Sequence, residues 1–100
     1  DQRRAIREAM MPTNLKGWAH RLSGELERDG LVGVAVWVNK NTGNVIVSDG
    51  KRGFCITRLC CETWPHLKIW LDVKSALEDL KQGAIMSRTG IKFFPTEHRR

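Results

Sequence analysis

One hundred residues, with 41% hydrophobic and 28% charged side chains, suit a single globular domain and exclude a chain too polar to bury a core. No apolar run approaches the roughly 20 residues of a membrane-crossing helix, and the opening DQRRAIREAM lacks the apolar stretch of a secretion signal. The formal net charge of +6 favours polyanionic partners, but it is dispersed: residues 1–29 carry six basic and five acidic groups, residues 30–65 four and two, residues 66–100 seven and four.

In chain order, Arg3 to Met11 reads as a short helix with Ala5, Ile6, Ala9 and Met10 on one face and Arg3, Arg4 and Arg7 on the remainder; Pro12 ends it. Thr13 or Asn14 then caps a second helix whose Leu15, Trp18, Ala19, Leu22 and Leu26 follow a 3.6-residue period. Gly30 is placed to close it in the left-handed conformation, with Leu31 folding back. Gly17 and Gly24 each cost such a helix about 1 kcal/mol against alanine, so tertiary packing must hold it.

A β-hairpin from Val34 to Val47 follows. With Lys40-Asn41-Thr42-Gly43 as its loop, Asn39 faces Asn44, Val38 faces Val45, Trp37 faces Ile46 and Val36 faces Val47. One face then carries four valines, the natural core surface, and the other carries Ala35, Trp37, Ile46 and Ser48. Asp49 to Gly53 is a second turn leading to a strand from Phe54 to about Leu59. Trp64-Pro65 turns the chain away from helix, and the alternation Leu67-Lys68-Ile69-Trp70-Leu71 predicts a fourth strand. Asp72 is positioned to cap a helix bearing Val73, Ala76, Leu77 and Leu80, ended by Gly83. Residues 84–86 and 91–94 suggest a short hairpin around Ser87 to Gly90, and residues 1–2 and 95–100 are expected to fray. The expectation is one α+β domain over residues 1–100. It has two N-terminal helices, an antiparallel meander of about four strands, one C-terminal helix and a short terminal hairpin or strand, in two layers.

Chemistry is sparse. Cys55, Cys60, Cys61 and His66 have metal-ligand residue types, but their spacing is that of no zinc finger or ribbon, and three reduced thiols are the simpler account. A cysteine nucleophile paired with His20 or His66 lacks a nucleophile elbow and an orienting third group. No phosphate-binding glycine loop occurs. The expectation is therefore no enzyme, no metal and no cofactor. The basic residues offer more: Arg3, Arg4, Arg7, Lys51, Arg52, Arg58 and Lys68 as phosphate contacts of a small cytoplasmic protein (nuclear in a eukaryote) that binds DNA or RNA without a membrane role. An open sheet face around Trp37, Ile46 and Trp70 would suit a homodimer or another protein target, and gives an alternative reading as an interaction or inhibitor module. A scattered solvated charge accounts for the same lysines and arginines without any ligand.

Overall fold

The computed structural model describes residues 15–96, so the predicted Arg3–Met11 helix and its arginines Arg3, Arg4 and Arg7 lie outside the described residues. Helix α1 spans Leu15–Arg28, buries Ala19, Leu22 and Leu26, and thus follows the predicted stripe. It ends as the glycine motif requires: Gly30 takes φ 86°, its N–H donates to the Glu27 carbonyl at 3.0 Å, and the Leu31 N–H donates to the Leu26 carbonyl at 3.0 Å.

The sheet is antiparallel throughout, in the order β1 (Ala35–Val38), β2 (Val45–Ser48), β3 (Arg52–Ile56), β4 (Phe94–Pro95). The first hairpin has the register read from its turn, with Trp37 opposite Ile46 and Val38 opposite Val45. Asn39 N–H donates to the Asn44 carbonyl at 2.8 Å, and Gly43 adopts φ 74° at the loop position that needs it. Strand β3 extends the same alternation, since Ile56 faces Val45 and Phe54 faces Val47. Val45, Val47, Phe54 and Ile56 form one core cluster with Ala19, Leu22 and Leu26 of α1 and with the third helix. Helices packed with a four-stranded antiparallel sheet give an α+β architecture.

Three expectations need correction. The strand from Phe54 stops at Ile56, because the Thr57 hydroxyl accepts the Cys60 N–H and starts a short helix, α2 (Arg58–Thr63). The strand predicted over 67–71 is the first part of α3 (His66–Lys81). Pro65, with φ −58°, stands at the entry to that helix, where a missing N–H costs nothing. Its buried residues Ile69, Val73, Ala76, Leu77 and Leu80 follow one helical stripe, whereas Leu67 and Leu71, which made the alternation, are exposed. Asp72 is consequently an interior helical residue, 3.8 Å from Lys68 one turn earlier, and not a cap.

After α3, Gly83 with φ 84° reverses the chain. Met86 bridges Lys92 around a loop organised by buried Ser87, whose hydroxyl accepts the Ile91 N–H at 2.9 Å. The chain then returns as β4, pairing Phe94 with Gly53 and Pro95 with Arg52. The Thr96 N–H donates to the Lys51 carbonyl at 2.9 Å.

Candidate functional site

The residues expected to contact phosphate do not converge. Arg52 points at the end of α3, where Nη2 donates to the Leu80 carbonyl at 2.9 Å and Nη1 to the Ala84 carbonyl at 2.7 Å. It thereby adds a second donor to the Leu80 carbonyl in the last turn of α3, which also accepts the Gly83 N–H, and ties β3 to the segment after the helix at Ala84. The Arg58 Nε donates to Glu62 Oε1 at 2.6 Å. Lys68 pairs with Asp72 and places Nζ 4.6 Å from the centroid of the Trp64 ring. Lys51 stays exposed in the turn between β2 and β3.

That turn is fixed by Asp49, whose Oδ1 accepts the N–H groups of Lys51 and Arg52, each at 2.9 Å. Partial burial works against its ionisation, but the Arg52 and Lys51 amides outweigh this and hold the carboxyl below the ordinary aspartate value. Other cations are similarly engaged. Arg88 forks onto Asp79 and reaches Glu78, Lys74 pairs with Asp29, and Arg21 pairs with Glu25. His66 turns Nε2 to both oxygens of Glu25 at 3.0 Å, tying α3 to α1, with the Trp18 ring edge-on at 6.1 Å. Desolvation of Glu25 opposes its charge, yet its hydrogen bonds and charge contacts with His66 and Arg21 together outweigh this and lower its pKa.

The open apolar face expected around Trp37, Ile46 and Trp70 is also corrected. Ile46 is only 7% exposed, lying between its ladder partners Trp37 and Cys55, and Ser48 beside it is fully buried. Strand β2 is thus buried on both faces. Trp70 lies on α3, half-buried against the core, with the Lys74 ammonium 5.5 Å from its ring centroid.

A cationic groove forms elsewhere. Lys16, Ala19, His20 and Ser23 fall at i, i+3, i+4 and i+7 along one face of α1, and that face runs beside β1. Val36, Trp37, Val38 and Lys40 supply the opposite wall of a groove of about 450 Å³. Among the described residues, no carboxylate lines it, and Lys16 and Lys40 make no ion pair. Sequence reading passed over this cluster because Lys16 and Lys40 are 24 positions apart and meet only when α1 lies along β1. The visible signal was the Lys16–His20 spacing of one helical turn, on the flank of the α1 stripe.

Among the described residues, no group of three histidine, cysteine or acidic side chains is arranged to hold a metal ion, and no helix is long and apolar enough to cross a membrane. Comparison with family models, with curated proteins and with solved structures finds no match to this chain.

Proposed function

We propose that the protein is a small, non-enzymatic, basic nucleic-acid-binding domain, and that the groove between α1 and β1 takes a DNA or RNA strand. The observation that carries this reading is the meeting of Lys16, His20 and Lys40 beside half-buried Trp37, with no acidic group among the described lining residues. Lys16 and Lys40 neutralise successive phosphates, Ser23 and His20 offer hydrogen bonds, and an unstacked base lies against Trp37. Helix carboxylates and Asp29 occupy Arg21, Arg58, Lys68, Lys74 and Arg88, whereas Lys16 and Lys40 have no ion pair among the described residues. This shifts the contact set from Arg52, Arg58 and Lys68 to Lys16, His20 and Lys40. Lys51 remains an outlying phosphate contact.

A salt titration of binding to mixed-sequence single-stranded DNA and RNA tests the groove. Replacing Lys16 and Lys40 together by glutamine is expected to lower the slope of log K against log salt by about 1.4 on a single strand. The Lys51→Gln change is expected to act more weakly. No binding by the wild-type protein at low salt, or an unchanged slope in the double variant, would overturn the assignment.

A second reading, association with a second copy or another protein, has its own support on α3. Leu67 and Leu71 lie one turn apart and are 66% and 57% exposed. This replaces the sheet face as the candidate partner surface, and nothing in it requires catalysis.

A further inference from the structure

The three cysteines occupy two different environments. Cys61 is 5% exposed in the core, and its thiol is pushed up to about 12, first by burial and then by the neighbouring Cys60 and Cys55. It is a protonated, inert thiol at neutral pH. Cys55 and Cys60 are only half-buried, and both line one cavity of about 270 Å³.

Their convergence follows from the backbone. Strand β4 pairs with Arg52 and Gly53 only, so Cys55 lies on the stretch of β3 beyond it, at an edge that β4 leaves open. The Thr57 cap then reverses the chain directly into α2, whose first turn carries Cys60. Phe54, Ile56, Ile69 and Ile91 provide the apolar wall, leaving the two thiols as the groups in the cavity able to form covalent bonds by exchange. Cys55 is also desolvated, which raises its pKa and slows spontaneous oxidation without removing access from the cavity.

We propose that Cys55 and Cys60 are a redox-responsive dithiol, which a small disulfide oxidant such as oxidised glutathione closes to an intramolecular disulfide, with Cys61 taking no part. One thiol loses its proton and attacks a sulfur of glutathione disulfide. A protein–glutathione mixed disulfide forms, and the first glutathione leaves as a thiolate that takes up the proton. The second protein thiol, losing its proton, attacks the protein-side sulfur, closes the Cys55–Cys60 bond and releases the second glutathione. Two protein thiols are oxidised and one glutathione disulfide is reduced. The adjacent Cys60–Cys61 pair is a poor alternative, because disulfide geometry fits consecutive residues badly. The cavity shares no lining residue with the α1–β1 groove, so this site stands whether or not the groove binds nucleic acid.

The chain is incubated with oxidised glutathione and weighed intact, then alkylated and cut with trypsin. Cleavage after Arg58 separates Cys55 from Cys60, so the proposed bond joins the peptides 53–58 and 59–68. The expected product is a monomer lighter by two hydrogens, with backbone fragmentation between Cys60 and Cys61 assigning the bond to Cys60. Cys61→Ser is expected to retain it. Cys55→Ser and Cys60→Ser are each expected to lose it and to hold one glutathionyl group on the remaining cavity thiol. Stable glutathionyl adducts without the internal bond in the wild-type chain would overturn the proposal. So would a bond to Cys61, one between chains, or no reaction at any thiol.

Discussion

The guanidinium of Arg52 sits where α3 ends, and its two hydrogen bonds to the Leu80 and Ala84 carbonyls make it part of the frame. Arg52→Met keeps the aliphatic stem but removes both donors. The cost is expected at about 2 kcal/mol, read as a lower urea midpoint at unchanged slope. Nucleic-acid affinity under native conditions is expected to stay the same; weaker binding with unchanged stability would return Arg52 to the phosphate contacts. Asp49 makes a pH-dependent contribution next to it. Its pKa is lowered in the fold from the ordinary 3.8, so the charged form is the one the turn stabilises. That contribution is fully present above the unfolded value and is lost as pH falls through the lower folded value. Asp49→Ala is therefore expected to destabilise by about 1 kcal/mol at neutral pH, given its exposure, and the difference from wild type should shrink as pH falls below 3.8 and vanish below the lowered folded value. A penalty that persists in acid would mean that the Asp49 charge is not its source.

At the scale of elements, strong local signals were legible and competing ones were not. The hairpin could be read because its turn glycine and its four valines demand the same register. Helix α1 could be read because its period and its glycine end agree. Helix α3 was cut short because Leu67, Ile69 and Leu71 imitate a strand over five residues, and only the longer window to Leu80 favours a helix. The end of β3 was hidden in a single capping hydroxyl, Thr57. The groove was invisible for a further reason: its lysines are distant in sequence and carry no shared motif. The pairing of β3 with β2 adds a constraint that sequence left unstated. Gly53 faces Phe94, and a methyl group built on it would overlap the Val47 carbonyl oxygen and press on Ser48 and Thr96. The obstacle is backbone, which cannot rotate away. Gly53→Ala is expected to cost about 3 kcal/mol in chemical denaturation, whereas Gly24→Ala, with open space around it, is expected to be neutral or stabilising. Equal stability of the two variants would mean that β3 does not hold its close approach to the β2 backbone at Gly53.

Over the molecule as a whole, the ion pairs and the exposed leucines divide the surface into distinct regions. Most described arginines, with Lys68 and Lys74, are committed to carboxylates or backbone carbonyls, and the groove lysines have no such partner among the described residues. The apolar exposure at Leu67 and Leu71 lies on α3, whereas α1 and β1 form the groove, so no residue has to serve both. Burial of those leucines against a second copy would set two grooves in a symmetric pair and raise affinity for a strand long enough to reach both. Leu67→Glu with Leu71→Glu tests this arrangement, because exposed helix positions tolerate glutamate without loss of the core. Sedimentation velocity is expected to show a wild-type dimer and a variant monomer with the same denaturation midpoint. The monomer should retain its affinity for an oligonucleotide that fills one groove and lose the added affinity for a longer one. A wild-type monomer at every soluble concentration would remove Leu67 and Leu71 as a self-association surface. Equal loss on short and long strands would instead place α3 in contact with the nucleic acid.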